Sequence, residues 1–288
     1  AAISACEKGG QWGRSLSLLN QLRQTGMTPN VISFSAAISA CENSGQWECA
    51  LSLINRMRQT GLPPDLISLS STISACEKGG KWERALSLLD KMREVGLTPN
   101  EISFSAAILS SEQGGQWERV LSLLDEMDQT DMTPDIISFG MAISACEQGR
   151  QWERALSLFN KMRKAGLTQS VTSFTAVMSA CQKAGKLEKA LPLLYEMQKV
   201  CLTPNVVSFS TAISACENGE HWEQALSLLN NMQTASMTPN TITFSGVISA
   251  CTKAAQQAAA SRIFEMASSK AEVGGQIFNA MSDAVHIE

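Results

Sequence analysis

A segment of 35 residues, Val31 to Asp65, recurs five more times without a gap along this 288-residue chain. The further copies begin at residues 66, 101, 136, 171 and 206, and the last of them ends at Asn240. A constant period of this length is the signature of a solenoid, in which each unit buries its apolar face against its neighbours rather than in one globular core. We therefore expect a stack of six similar units over residues 31–240.

Each unit is predicted to be a helical hairpin. In the first full copy, apolar residues spaced three and four apart over Phe34–Cys41 mark one face of a helix. Turn-forming residues at 43–45 interrupt this pattern, and a second apolar stripe follows over Trp47–Met57. Gly61 fits a helix C′ cap and Pro64 a stop signal. The unit is therefore expected to hold two antiparallel helices of about three turns each.

The two ends of the array depart from the pattern. Residues 1–30 form a partial repeat that lacks its first five positions, and residues 241–274 form a degenerate seventh repeat with an alanine-rich second helix over 256–267. Residues 275–288 restart the first-helix pattern and are expected to begin a further repeat or a capping helix. Because the composition does not shift along the chain, no second domain is predicted.

The cysteines follow the repeat rather than a disulfide framework. Seven of the nine occupy one repeat position: Cys6, Cys41, Cys76, Cys146, Cys181, Cys216 and Cys251. A disulfide network is one interpretation, but equivalent residues of stacked units point the same way, and a small thiol suits a tight helix interface. Buried packing in a reducing compartment is favoured. With no CxxC pair and two histidines, a metal site is not predicted.

All six tryptophans also share one repeat position, at the start of the second helix: Trp12, Trp47, Trp82, Trp117, Trp152 and Trp222. Such a row can serve as a stacking platform for nucleobases or as a packing knob between helices. Leu187 takes the same position in one copy, which favours packing.

Composition excludes several function classes. The chain is 44% hydrophobic with a net charge of −4, and no apolar run approaches the roughly 18 residues that span a bilayer, so membrane insertion is not predicted. A glycine-rich phosphate loop, a histidine pair and converging carboxylates are all missing from the sequence. We therefore predict no enzyme activity, no cofactor and no small-molecule substrate.

The repeat resembles that of the pentatricopeptide repeat family. The resemblance is carried by Phe34-Ser35, Lys78-Gly79-Gly80, the Ala-Leu-x-Leu-Leu segment at 85–89, Met92, and the Gly-Leu-Thr-Pro-Asn ending at 96–100. The tetratricopeptide signature is missing. The resemblance implies an all-α fold, an α-solenoid that winds into a right-handed superhelix. Its first helices would line a groove that binds single-stranded RNA, one base per repeat.

In this family the fifth and the last residue of a repeat read the base together. Carried over, the pairs are Ser35 with Asp65, Ser70 with Asn100, Ser105 with Asp135, Gly140 with Ser170, Thr175 with Asn205, and Ser210 with Asn240. A short hydroxyl residue favours guanine when paired with aspartate and adenine when paired with asparagine. The resemblance thus implies the target 5′-GAGNAA-3′, with N for the Gly140 unit. Ser245 with Gly274 lies outside the pattern.

Two further positions carry family roles. The second residue wedges against the base, and here these residues are Ile32, Ile67, Ile102, Ile137, Thr172, Val207 and Ile242. A lysine at the thirteenth position reaches phosphate, and here these are Lys8, Lys78, Lys183 and Lys253. The other copies have Asn43, Gln113, Gln148 and Asn218 instead.

Glutamates occupy the twelfth position in six copies: Glu7, Glu42, Glu77, Glu112, Glu147 and Glu217. They would repel phosphate if they faced the groove. The favoured interpretation is a solvated helix face.

Two functional hypotheses follow. The first is a sequence-selective module for single-stranded RNA in a plastid or mitochondrion, acting in transcript processing, stability or translation; the organelle comes from the resemblance, and no targeting segment lies in the given chain. The second is a protein-binding scaffold subunit of an organellar ribosome or membrane-associated complex, with no base contacts. The ordered Ser/Thr–Asp/Asn pairs favour RNA, whereas the acidic charge and the missing lysines favour the scaffold.

Overall fold

The computed structural model describes residues 2–130, 132–217 and 221–268. Within these ranges the chain is all-α, without a strand, as predicted. The sixteen helices of this part of the chain are α1 (Ala2–Lys8), α2 (Trp12–Gln24), α3 (Val31–Asn43), α4 (Trp47–Gln59), α5 (Leu66–Lys78), α6 (Trp82–Glu94), α7 (Glu101–Gln113), α8 (Trp117–Gln129), α9 (Ile136–Gln148), α10 (Trp152–Lys164), α11 (Val171–Lys183), α12 (Leu187–Lys199), α13 (Val206–Glu217), α14 (Trp222–Thr234), α15 (Thr241–Lys253) and α16 (Gln257–Ser268). The predicted restart over 275–288, and with it Gly274 and Asn218, lies outside the described residues.

An aspartate, asparagine or serine side chain starts most of the first helices. The Asp65 side chain accepts a hydrogen bond from the backbone N–H of Ser68, and Asn100 does the same for Ser103. This bond satisfies one of the four backbone donors that an α-helix leaves open at its N-terminus. The last residue of each 35-residue copy is thus the N-cap of the next copy's first helix.

The second helices end where the backbone turns left-handed. Gly61, the predicted C′ residue, has a φ of +73°, a conformation that glycine adopts without a steric penalty. The same position holds Cys201 at +58° and Ser236 at +56°. The hairpin ends therefore keep one geometry even where the glycine is replaced.

The helices group into two compact units, Ala1–Ala145 and Cys146–Glu288. In the first unit, first helices pack on one another (α3 on α5, α5 on α7), and the second helices α2, α4 and α6 pack on their own first helix and on the next one. The second unit repeats this arrangement with α11, α13 and α15. Such nearest-neighbour packing makes the chain an α-solenoid.

The core of each layer comes from both helices of the hairpin. In the first full copy α3 packs on α4, and Phe34 and Ile38 of α3 and Leu53, Ile54 and Met57 of α4 are all buried. The shared cysteine position is buried in six copies, which confirms the packing prediction for Cys41, Cys76, Cys146, Cys181, Cys216 and Cys251; Cys6 is half-buried.

The tryptophans pack against the following repeat. A methyl group added at Gly79 would come within 2.4 Å of Cδ1 of Trp47, and one added at Gly114 within 2.5 Å of Cδ1 of Trp82. The ammonium group of Lys81 also lies 5.3 Å from the ring centre of Trp47, within range of a cation–π contact. These contacts support the packing interpretation for Trp47 and Trp82.

Among the described residues, no helix combines the length and the apolar character needed to cross a bilayer.

Candidate nucleic-acid interface

Positions 2, 5, 9, 12 and 13 of a first helix lie on one side of it, because residues three and four apart are neighbours on a helix surface. We call this side, together with the last residue of the copy, the first-helix face. It carries every residue to which the resemblance assigns contact with RNA. The predicted residues therefore share one helix side within each repeat.

The second position is exposed in every full copy. The exposed fraction ranges from 56% for Val207 to 72% for Ile32 among the six aliphatic members, and Thr172 is exposed as well. Every layer except that of Thr172 therefore presents one exposed aliphatic side chain at this position.

The fifth residue meets the last residue of the same copy in three predicted pairs. Ser35 Oγ lies 3.3 Å from Asp65 Oδ1, Ser70 Oγ lies 3.2 Å from Asn100 Oδ1, and Ser210 Oγ lies 3.5 Å from Asn240 Oδ1. The three serines are buried, whereas Asp65 and Asn100 are half-buried and Asn240 is exposed. The buried serine hydroxyl thus donates a hydrogen bond to the Asp or Asn side chain, and the Asp or Asn side chain reaches the surface.

The remaining pairs differ in their contacts. Thr175 bonds to Ser208 Oγ at 3.2 Å rather than to Asn205. Asp135 accepts bonds from the N–H and hydroxyl of Ser138, both at 2.8 Å, and Ser105 is half-buried. In the copy with Gly140, the single Ser170 hydroxyl contacts Thr172 Oγ1 at 2.6 Å and caps α11, so its bonding capacity is used within its own turn.

Capping determines which atom of the last residue is left for a ligand. In Asp65 the cap engages Oδ1, and the other terminal atom, Oδ2, can only accept hydrogen bonds. In Asn100 the cap also engages Oδ1, because an amide NH₂ cannot accept from a backbone N–H; the other atom is Nδ2, which can only donate. The two residue types thus offer opposite hydrogen-bonding character from the same place.

The lysines predicted to reach phosphate form ion pairs with the preceding repeat. Lys78 Nζ lies 3.6 Å from Glu42 Oε1, Lys183 Nζ lies 2.9 Å from Glu147 Oε1, and Lys253 Nζ lies 3.3 Å from Glu217 Oε1. Lys8, in the partial repeat, is exposed.

The twelfth-position glutamates, predicted to form a solvated helix face, are half-buried in these three copies, and each one forms an ion pair with the thirteenth-position lysine of the next layer. Ser179 and Ser249 also donate to Glu147 and Glu217, both at 2.7 Å. Burial raises the pKa of the Glu77 carboxyl; nearby Lys78 and a hydrogen bond with Gln113 partly oppose this rise.

Sequence reasoning missed both the caps and the glutamate–lysine ladder. The caps had a signal, since a serine or threonine follows three residues after the last residue of each copy, as in Asp65 and Ser68. For the glutamate–lysine contacts between layers, the only signal in the sequence was that a glutamate and a lysine stand side by side at positions twelve and thirteen. In the part of the chain that the structure describes, no three His, Cys, Asp or Glu side chains gather as metal ligands.

Comparison with protein-family models matches most of the chain. The model for the pentacotripeptide-repeat region of PRORP matches residues 8–135, a pentatricopeptide repeat domain model matches 122–183 and 157–219, and a PPR repeat family model matches 204–253. No curated protein sequence matches the chain.

Solved structures with the same fold include the pentatricopeptide repeat protein PPR10 from maize, at 23% identity and a TM-score of 0.58 over 93% of this chain. PPR10 in complex with an 18-nt psaJ RNA element matches 86% of this chain at 19% identity, with a TM-score of 0.54. The PPR domain of Arabidopsis thaliana protein-only RNase P 1, in complex with tRNA, matches at 14% identity with a TM-score of 0.54; the match covers 59% of this chain and 90% of that domain. The chain spans 38% and 41% of the two PPR10 chains.

Proposed function

Since the chain belongs to the pentatricopeptide repeat family, we propose that its first-helix face binds single-stranded RNA and reads one base per repeat without catalysing a reaction. The observation that carries the proposal is the juxtaposition of an exposed aliphatic residue with a capped Asp or Asn and its supporting serine. Ile67, Ser70 and Asn100 illustrate it in one repeat. An apolar contact for a base plane thus lies on the same face as a polar group for its edge.

The free atom of the last residue sets the preferred base. Oδ2 of Asp65 accepts hydrogen bonds and suits the N–H groups on the Watson–Crick edge of guanine. Nδ2 of Asn100 donates and suits the ring nitrogen acceptor of adenine. The proposed target is 5′-GAGNAA-3′, where N faces the Gly140 and Ser170 copy, in which the serine hydroxyl is engaged by Thr172.

The proposal places the protein in a plastid or mitochondrion, where it would act in transcript processing, stability or translation. The resemblance and the matched family models support this location. Two of the similar solved structures are described as complexes with RNA. Microscopy of the tagged protein against plastid and mitochondrial markers tests the location, and a purely cytosolic or nuclear signal would refute it.

A protein-binding scaffold is the second candidate. It is favoured by the net charge of −4 and by the pairing of the thirteenth-position lysines with glutamates, because phosphate neutralisation supplies much of the affinity for nucleic acids. In that case the first-helix face would bind no RNA and would contact protein subunits of a larger organellar assembly.

Binding of fluorescent RNA across a salt series separates the two candidates. The ligands are an RNA that carries GAGUAA and a scrambled RNA of the same composition. We expect the matched RNA to bind at least tenfold more tightly, and equal failure of both at about 50 mM salt, where phosphate contacts are strongest, would refute the proposal.

A wedge variant tests whether the first-helix face is the one used. Ile67→Ala removes a side chain that is 62% exposed, so we expect weaker binding of matched RNA with an unchanged melting temperature. The matched control is Val95→Ala, which removes a side chain of similar exposure, 58%, at the C-terminus of α6, outside this face. Equal effects of the two variants would contradict the assignment.

A further inference from the structure

A ladder of charged and polar contacts connects successive layers along the first-helix face. In the copies with a thirteenth-position lysine, the twelfth-position glutamate of the preceding layer holds its ammonium group: Glu42 with Lys78, Glu147 with Lys183, and Glu217 with Lys253. A serine hydroxyl of the later layer fixes two of these glutamates from a second side, Ser179 on Glu147 and Ser249 on Glu217. Glu147 and Glu217 are therefore acceptors held from two sides, whereas Glu42 is held by its lysine.

Each of these lysines has two possible anionic partners. An RNA phosphate that approaches the first-helix face must take the lysine from a carboxylate that already binds it. Partly exposed ion pairs of this kind are weak, so the exchange can occur. The carboxylate, however, stays beside the incoming phosphate, and like charges at such short range repel.

We propose that Glu42, Glu147 and Glu217 are affinity-setting residues, which restrain the phosphate-binding lysines and keep sequence-independent attraction to RNA low. The inference rests on the proposed RNA-binding function and adds a role that the base-reading pairs do not have. With the backbone attraction reduced, the hydrogen bonds of residues such as Asp65 and Asn100 decide whether an RNA stays bound. The acidic side chains of the first-helix face are then a feature of selective binding rather than evidence against binding.

The test is the triple variant Glu42→Gln, Glu147→Gln and Glu217→Gln. Glutamine has nearly the same shape and keeps an acceptor for Ser179 and Ser249, so the layers should stay intact, as thermal unfolding checks. The matched control is the triple variant Glu48→Gln, Glu153→Gln and Glu223→Gln. It makes the same change in net charge at exposed glutamates in the first turns of second helices.

At about 50 mM salt we expect the first triple variant to bind both matched and scrambled RNA roughly tenfold or more tightly than the unmodified chain, about two- to threefold for each removed charge. The slope of log affinity against log salt should steepen by up to about 0.7 for each freed lysine, or roughly 2 in total. The control variant should change affinity less than threefold. Adding Lys78→Gln, Lys183→Gln and Lys253→Gln should abolish most of the gain, since the glutamates act through these lysines.

Three results would count against the inference. Equal tightening by both triple variants would attribute the gain to net charge and overturn the inference, while a matched-over-scrambled preference of the unmodified chain would leave the proposed function standing. A gain that persists without the three lysines would overturn their role. Failure of every variant to bind either RNA at low salt would overturn the proposed function and the inference together.

Discussion

Replacing Asp65 by asparagine should exchange the base preference of one repeat without changing the stability of the protein. Asp65 Oδ1 accepts from the N–H of Ser68 at 2.9 Å and lies 3.3 Å from Ser35 Oγ. Asparagine offers the same Oδ1 to both partners and ranks with aspartate as an N-cap. We therefore expect the free energy of unfolding of the Asp65→Asn variant to lie within a few tenths of a kcal/mol of that of the unmodified protein. This small difference comes from the lost attraction of the carboxylate to the helix dipole.

The effect on RNA comes from the other terminal atom, which changes from Oδ2, an acceptor, to Nδ2, a donor. A hydrogen bond to a charged group is worth roughly 1.5–3 kcal/mol when its loss leaves a partner unsatisfied. The preference for guanine at the first base of GAGUAA should therefore fall by about tenfold or more and pass to adenine. Asn100→Asp should produce the opposite exchange at the second base.

The assay is fluorescence anisotropy with four RNAs that differ only at the first base, together with thermal unfolding. Asp65→Ala is the control, because it removes the cap as well as the base contact. It should cost about 1 kcal/mol of stability and abolish discrimination at that base. A variant Asp65→Asn that still prefers guanine would refute the base assignment, and an Asp65→Ala variant that unfolds like the original would refute the capping role.

Three further predictions concern stability and reactivity. Burial raises the pKa of the Cys41 thiol to about 12 and that of the Cys76, Cys146, Cys181 and Cys216 thiols to about 11. At pH 8 a maleimide should therefore label the exposed Cys201 in the folded protein and these five cysteines only after unfolding. Intact-protein mass spectrometry counts the labels. Burial also raises the pKa of the Glu77 carboxyl above 4.5, so the folded state binds this proton more tightly than the unfolded state and stability falls as pH rises through the carboxyl range. Glu77→Gln should therefore raise Tm at pH 7, and this gain should vanish toward pH 4. A gain that does not depend on pH would contradict the prediction. Gly114→Ala should lower the free energy of unfolding by about 1 kcal/mol because the Trp82 indole must move. A second substitution, Trp82→Leu, should remove part of this loss. An unchanged Tm of the single variant would contradict the close contact between Gly114 and Trp82.

The sequence alone determined the features that depend on a few neighbouring residues. The 35-residue period predicted a repeat array, and the positions of Phe34 and Met57 predicted the buried stripes of the two helices. Gly61 marked the end of a second helix because only a few residue types adopt a positive φ at low cost. Helix ends and helix faces depend on residues four or fewer positions apart, so a single copy is enough to predict them.

The tertiary structure decided which side chains of different layers meet. Lys78 bonds to Glu42, 36 residues earlier, which is one repeat plus one residue, while Ser179 reaches Glu147 across 32 residues. Such offsets depend on how one hairpin is shifted and rotated against the next, and that stacking results from core packing between layers rather than from any local pattern. The period therefore predicted that the layers stack, and only their packing showed that the glutamates of one layer hold the lysines of the next.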